Sequence, residues 1–179
     1  MSITHTASEE LLLAHAAGRL SAAPALVLDS HIAMSSDSAR RFRHFEQLGG
    51  ALIDEQPMAE ISPDLFDRML SRIDEPAPDA VMAALPQHDG LRIGVKLPPP
   101  LAERRIGKWR LMGPGMYFAK VDVPEDPDFK VLLLKIGAGR MLPQHGHDGT
   151  ELTLVLKGRF GDEQASYGPG DLEEEDCQS

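Results

Sequence analysis

The sequence predicts a two-domain protein in which a helical first half precedes a β-rich second half. Apolar residues recur at helical spacing through residues 1–75, prolines interrupt residues 76–100, and the apolar pattern then alternates with a period of two. A chain of 179 residues is long enough for two small domains joined by a linker. We therefore expect a small four-helix domain at 1–75, a proline-rich linker at 76–100 and a β sandwich or barrel at 101–179.

Four short amphipathic helices are predicted in the first half. Thr6 and Glu9 form a capping box ahead of the first helix, and the second helix covers Ala22–Met34. Asp37 or Ser38 can cap the third helix, whose apolar residues continue to Leu52 and Ile53 and whose ending contains the two glycines at 49–50. The serine–proline pair at 62–63 starts the fourth helix. Each helix carries a wide apolar face that must be buried against something.

The second half has the alternating pattern of short strands separated by Gly, Pro and Asp clusters. The predicted strands are 116–121, 130–136, 151–157 and 159–162.

Charge and cysteine content exclude several classes of protein. The chain has 28 acidic and 18 basic residues, and its net charge of −10 argues against direct binding to nucleic acid. The single cysteine, Cys177, excludes an internal disulfide and a cysteine-rich zinc site. No apolar run approaches the roughly 20 residues that span a bilayer, and no signal peptide begins the sequence. We expect a cytoplasmic protein that does not bind membranes.

Two histidines and a glutamate form the first candidate site. His145 and His147 are two residues apart, so on a strand both imidazoles point to the same side, and Glu151 follows after a turn. Two imidazoles and a carboxylate suit zinc, iron, manganese or nickel. The alternative is that the histidines are surface residues beside a turn and the glutamate is merely solvated.

The spacing around these residues resembles the first sequence motif of the cupin family. Gly139 and Gly158 flank His145, His147 and Glu151 at every position that the motif specifies. Downstream, the segment Tyr-Gly-Pro-Gly-Asp at 167–171 resembles the start of the second cupin motif. The resemblance implies a cupin-like β-barrel that holds one divalent metal, with zinc as the leading candidate. The sequence stops before the histidine that normally completes the site, so we expect an incomplete barrel with three ligands and no fourth.

A second histidine lies in a serine-rich stretch of the helical half. By itself, His31 precedes a break between two helices at which Ser35 or Asp37 caps the next helix. The stretch also resembles the His-x3-Cys-x2-Cys motif of zinc-binding anti-sigma factors, with Ser35 and Ser38 at the cysteine positions. Residues 11–20 are similar to the first helix of that family. Because a hydroxyl cannot replace a thiolate as a zinc ligand, we predict that His31 is a vestigial ligand and that no zinc binds here.

A helical domain of this type, a proline-rich linker and a cupin domain together resemble the ChrR-type anti-sigma factors of bacteria. The resemblance implies that the first domain binds and inhibits an extracytoplasmic-function sigma factor, and that the cupin domain mediates release by an oxidative signal such as singlet oxygen. The acidic first half, with 12 acidic and 6 basic residues in 1–75, suits a basic partner. The residues expected to contact the sigma factor are Leu11, Leu12, Leu26, Leu28, Phe42, Phe45 and Leu48. The alternative is that these apolar faces form only an intramolecular core.

A cupin metalloenzyme, of the dioxygenase or isomerase type, is the second hypothesis. Cupin sites with two histidines and a glutamate support oxygen chemistry when coordination positions remain open. The only nearby candidates for binding a substrate are Arg140, Arg159 and Tyr167, and each is equally compatible with a surface position. We therefore favour a regulatory protein that is not an enzyme.

Overall fold

A computed structural model of the protein describes residues 3–74, 94–140, 150–161 and 165–176. The helices are α1 (Glu9–Ala16), α2 (Ala22–Met34), α3 (Ser36–Asp54), α4 (Leu65–Asp74) and α5 (Pro99–Ala102). The strands are β1 (Arg110–Gly113), β2 (Met116–Val121), β3 (Val131–Ile136), β4 (Thr150–Leu154), β5 (Phe160–Gly161), β6 (Ser166–Tyr167) and β7 (Leu172–Asp176). This order confirms a helical N-terminal region followed by a β-rich C-terminal region.

Helix α1 is capped by a residue other than the predicted one, whereas α3 is capped by Ser35, one of the caps that the sequence offered for it. The hydroxyl of Ser8, and not that of Thr6, caps α1 by accepting a hydrogen bond from the amide of Leu11 at 3.1 Å. Ser35 caps α3 by accepting from the amide of Ser38 at 3.2 Å. Both caps are a serine hydroxyl bonded to the amide three residues later, the usual N-cap arrangement.

The third helix continues past the glycine pair at 49–50 and reaches Asp54, so it includes Leu52 and Ile53, which the sequence placed on it. Neither Gly49 nor Gly50 has the positive φ that commonly ends a helix, and both lie within α3. The helix therefore extends four residues beyond this pair and carries Leu52 and Ile53 with it.

The strands form three small antiparallel sheets. Strands β1, β2 and β3 are adjacent in that order, β4 pairs with β7, and β5 pairs with β6. Strand β7 has the sequence Leu-Glu-Glu-Glu-Asp and was not predicted, because its charges hide the alternation that marks a strand. The described strands do not close into a barrel.

The two halves of the chain share their apolar cores. In the first cluster, Ala23 and Leu26 of α2 pack with Leu101 of α5 and with residues of the three-stranded sheet. In the second cluster, Leu12 of α1 and Leu28 of α2 pack with Leu172 of β7. Helices α1 and α2 are thus in contact with the C-terminal domain, and both apolar clusters of the described residues combine helix and strand side chains.

Part of the predicted linker is ordered and packs in the core. Leu97 packs against the first cluster, and helix α5 crosses the predicted boundary at residue 100, with Leu101 buried against α2. Residues 75–93 are outside the described residues, so the domain boundaries stay a prediction. None of the helices in the described ranges combines the length and the apolar character that a bilayer crossing requires.

Candidate functional site

The imidazole of His31 is completely buried and bridges three parts of the chain. Its Nδ1 atom lies 2.9 Å from the backbone oxygen of Gly170. Because a carbonyl oxygen only accepts, Nδ1 must carry the proton and donate it, which leaves Nε2 as an acceptor. Nε2 accepts from the amide of Ala7 at 3.2 Å and from the hydroxyl of Ser38 at 2.7 Å. The single imidazole therefore connects the N-terminal segment, α3 and the C-terminal domain.

The two serines at the cysteine positions of the motif are buried and hydrogen-bonded. Ser35 is 2% exposed and caps α3, and Ser38 is fully buried one turn later. The cap orients the first turn of α3 so that the Ser38 hydroxyl points at the imidazole of His31. All three positions of the motif thus meet, and they form a hydrogen-bonded core.

This arrangement does not fit a zinc ion. The amide N–H of Ala7 points at the Nε2 lone pair of His31, which is the lone pair that a zinc ion would need. Ser35 and Ser38 supply neutral hydroxyls in place of thiolates. Burial lowers the pKa of His31, although the Gly170 carbonyl partly opposes the shift, so the imidazole is neutral near pH 7.

The carboxylate of Asp171 attaches the start of the chain to the C-terminal domain. Its Oδ1 accepts from the amides of Thr4 at 2.6 Å and His5 at 3.0 Å, and its Oδ2 accepts from the amide of Gly168 at 2.7 Å. Burial opposes ionisation, but these hydrogen bonds outweigh it and hold the pKa of the Asp171 carboxyl well below its ordinary value. The carboxylate is therefore ionised near neutral pH.

We call residues 3–8 the N-terminal segment, which lies along β7. The amide of Leu172 donates to the backbone oxygen of His5 at 3.0 Å, and the amide and hydroxyl of Ser8 donate to the carboxylate of Glu174 at 2.7 and 2.8 Å. Gly170, just before β7, has a φ of +93°, and a Cβ there would lie 2.6 Å from the Cδ1 atom of Ile3. Glycine is required at this position both by the backbone angle and by the packing of the segment.

Helix α2 is capped by a residue of the C-terminal domain. Ser21 is at the N-cap position but its side chain makes no capping hydrogen bond. The carboxylate of Asp126 instead accepts from the amide of Ala23 at 2.9 Å, and Asp126 is only 7% exposed. Asp126 has no sequence signature as a cap, because it is 103 residues away from the helix that it caps. Asp171 did belong to the recognised second cupin motif, but its contact with the N-terminal segment was not predicted.

The predicted metal ligands of the cupin motif are only partly visible. His145 and His147 lie outside the described residues. Glu151 is on β4 and pairs with Glu175 of β7, so the two side chains share a face of that sheet. The described residues contain no group of three or more potential ligands, and the metal site stays a prediction.

The orientation of Glu151 follows from its neighbours on β4. Leu152 and Leu154 pack against the cluster formed by Leu12, Leu28 and Leu172. Because side chains alternate along a strand, Glu151 is directed to the sheet face opposite the helices.

The apolar residues that the sequence assigned to a partner occupy three environments. Leu12, Leu26 and Leu28 are buried in the cores shared with the C-terminal domain, because α1 and α2 pack on that domain. Leu11, Phe42 and Phe45 are partly buried against the second core, and Leu48 is 48% exposed. Contact between the first three and a partner would require the helices to separate from the strands, and the role of all seven residues stays a prediction.

A large exposed apolar surface lies instead on the second half of α3, on α4 and between them. Phe66 and Ile73 are 69% and 75% exposed, and with Met69 and Leu70 they form one face of α4 at the spacing i, i+3, i+4, i+7. We call this the α3–α4 surface, which consists of Leu48, Leu52, Ile53, Met58, Ile61, Phe66, Met69, Leu70 and Ile73. Large apolar side chains exposed in this number are typical of an interaction site.

Three residues were considered for substrate binding, and of these Arg140 is exposed. The ring of Tyr167 stacks on Phe160 at 5.0 Å and lies 4.4 Å from the ring of His5. Arg159 is exposed and donates to the hydroxyl of Ser166 at 3.4 Å. Tyr167 thus packs against aromatic rings, and Arg159 lies at the surface.

Comparison with known proteins gives consistent matches over both halves of the chain. The family described as the ChrR cupin-like domain matches residues 103–179. The anti-sigma-E factor ChrR of Cereibacter sphaeroides is 34% identical over 97% of this chain and 79% of its own length. A chain in the crystal structure of Rhodobacter sphaeroides SigE in complex with the anti-sigma ChrR is 31% identical, with a TM-score of 0.75 over 98% of this chain and 88% of that one.

Proposed function

The chain belongs to the ChrR family of anti-sigma factors, and we propose that it binds and inhibits an extracytoplasmic-function sigma factor. The similarity extends over the helical half as well as the cupin-like domain, so it includes the part of the chain to which the resemblance assigns sigma binding. Membership in a family of anti-sigma factors agrees with the prediction that the protein is not an enzyme.

The observation that carries this proposal is the exposed apolar face of α4. A ten-residue helix is marginal in water on its own, and its stability in a protein comes mainly from burying an apolar face. Phe66, Met69 and Ile73 are all more than half exposed, so this face is not buried by the described part of the chain. Burying one such side chain is worth about 1.5–3 kcal/mol, so a partner that covers several of them would gain substantial affinity.

The charge of the helical half supports a basic partner. Residues 1–75 contain 12 acidic and 6 basic side chains. Asp54, Glu55 and Glu60 are exposed, and in the sequence they lie between the apolar residues of the α3–α4 surface. A DNA-binding sigma factor is rich in basic groups, and such complementarity accelerates association and favours the correct partner.

We expect the helical domain to fold without zinc. Two observations support this: His31, Ser38 and the Ala7 amide satisfy one another, and the apolar packing of α1 and α2 on the strands can supply stabilisation that would otherwise come from a structural metal. We expect at most one divalent metal per chain, with zinc as the leading candidate, held by His145, His147 and Glu151. Such a metal would supply a charged centre that organises the surrounding strands.

Release of the sigma factor by an oxidative signal would have to begin in the C-terminal domain. The chain has a single cysteine, Cys177, so the helical half contains no thiol that could be oxidised. We propose that the signal acts at the cupin-like domain and reaches the helices through their shared interface.

Titration of the full chain with purified Rhodobacter sphaeroides SigE tests the proposed function. We expect a one-to-one complex with a sub-micromolar Kd, and inhibition of transcription by RNA polymerase that contains SigE. The absence of a complex at micromolar concentrations of both proteins would contradict the proposal.

A further inference from the structure

We propose that α2 couples the C-terminal domain to the α3–α4 surface: the C-terminal domain holds both ends of α2, and freeing either end weakens sigma binding. This inference concerns the regulation of the proposed site and so rests on the proposed function.

The first end of α2 is held by a charge. The buried carboxylate of Asp126 accepts from the Ala23 amide at 2.9 Å and so satisfies one of the free amides of the first turn. A negative charge at this end also favours the helix dipole. Asp126 is fixed in turn by its own amide, which donates to the backbone oxygen of Val123 at 3.0 Å, in the loop after β2. The first turn of α2 therefore depends on the position of a loop in the C-terminal domain.

The other end of α2 is held through His31, in the last turn of the helix. Its imidazole donates to the Gly170 carbonyl at 2.9 Å and accepts from the Ser38 hydroxyl at 2.7 Å. A continuous chain of hydrogen bonds thus runs from the turn before β7, through α2, into the first turn of α3. Because these groups are fully buried, breaking any one bond would leave a polar group unsatisfied.

The middle of α2 is packed on the same domain. Ala23 and Leu26 belong to a core with Leu101 and Leu133, and Leu28 packs with Leu172. Three kinds of contact, at both ends and along one face, therefore join α2 to the C-terminal domain.

Helix α3 transmits the state of α2 to the proposed sigma-binding surface. Its cap, Ser35, is the residue that directly follows α2, and Ser38 is bonded to His31. The same helix ends with Leu48, Leu52 and Ile53, which belong to the α3–α4 surface. A displacement of α2 would disturb the first turn of α3. The second half of α3 would then be less ordered, and a partner would have to order this half of the helix on binding.

A pair of neighbouring carboxylates provides a matched test. Asp126→Ala removes the cap on α2. Glu125→Ala removes an exposed carboxylate in the same loop. Its Oε1 accepts from Nη1 of Arg104 at 2.8 Å, and Arg104 belongs to the C-terminal domain and not to α2. We expect Asp126→Ala to weaken SigE binding about fivefold, the usual effect of losing a helix cap, and to speed amide exchange in the first turns of α2 and α3. Glu125→Ala should change neither.

A second variant tests the other end of α2. Asp171→Asn keeps the shape of the side chain but weakens the attachment of the N-terminal segment and of the turn that holds Gly170. We expect faster exchange around His31 and again weaker SigE binding. Unchanged or tighter SigE binding by both variants, with faster exchange in α2, would overturn the coupling.

The outcome also separates this inference from the proposed function. If the unmodified protein does not bind SigE, the proposed function fails, and the exchange measurement still decides whether α2 and α3 open together. If it binds SigE and exchange in α3 is the same in Asp126→Ala as in Glu125→Ala, only the coupling fails.

Discussion

The imidazole Nδ1 of His31 lies 2.9 Å from the backbone oxygen of Gly170, although the two residues are 139 positions apart in the sequence. The histidine belongs to the helical half and the glycine to the turn before β7. The residue that would be a zinc ligand in a related helical domain therefore contributes here to the interface between domains. Its second nitrogen is used by Ala7 and Ser38, so every polar atom of the ring has a partner.

Removing the hydroxyl of Ser38 should destabilise the protein. Ser38→Ala leaves the buried Nε2 of His31 with one donor in place of two, and we expect the free energy of unfolding to fall by about 1–3 kcal/mol in urea denaturation. Ser36→Ala, at an exposed position in the same turn, is the control and should change it by less than about 0.5 kcal/mol. Equal losses for the two variants would show that the hydroxyl contact is not important.

Stability should fall in mild acid because of His31. Burial lowers the pKa of this imidazole in the folded protein below its ordinary value of 6.5, so as the pH falls through 6.5 the unfolded chain takes up a proton that the folded protein does not. The free energy of unfolding should therefore decrease on acidification until the folded-state pKa is reached, by at most about 1.4 kcal/mol per pH unit.

Urea denaturation between pH 8 and pH 5 measures this dependence, with His31→Gln as the control. The variant keeps a hydrogen-bonding side chain but cannot titrate in this range, so its stability should depend less on pH. The same pH dependence in both proteins would rule out His31 as the titrating group.

The metal content should be at most one divalent ion per chain. We expect elemental analysis of the purified protein to find this ion lost in a His145→Ala/His147→Ala double variant and kept in His31→Gln, because the His31 ring is used in hydrogen bonds. Two ions per chain, or loss of the ion in His31→Gln, would contradict the assignment. A content near zero would mean that the three predicted ligands are insufficient.

The apolar face of α4 should contribute to binding and little to stability. Because Phe66 and Ile73 are exposed, Phe66→Ala/Ile73→Ala should leave the Tm nearly unchanged and weaken SigE binding about tenfold or more. Ser71→Ala, on the opposite side of the same helix, is the matched control and should bind normally. Normal binding by the double variant would place the sigma-binding surface elsewhere.

Features that depend on neighbouring residues could be predicted from the sequence. The order of helices and strands follows from local apolar periodicity, and strand β2 has the same bounds as its prediction. The serines at 35 and 38 already argued against a zinc ligand set, because that conclusion depends only on side-chain chemistry. The family was also recognised from short motifs, and the matches to ChrR agree with it.

Features that depend on distant residues could not be predicted. The local pattern marks Leu12, Leu26 and Leu28 as apolar, but it does not say whether a partner or the C-terminal domain buries them. Strand β7 pairs with β4 despite its acidic sequence, because a pairing is stabilised by both of its strands and not by the propensity of one.

The sequence alone therefore determined the order of a helical half and a β-rich half, the chemistry of the side chains and the family. Only the tertiary structure decided that α2 is capped by Asp126, that His31 bonds to Gly170 and that α4 keeps an apolar face exposed. The physical reason is that the free energy of a buried polar group or an apolar side chain depends on what surrounds it. In this protein those surroundings come from parts of the chain more than 100 residues away.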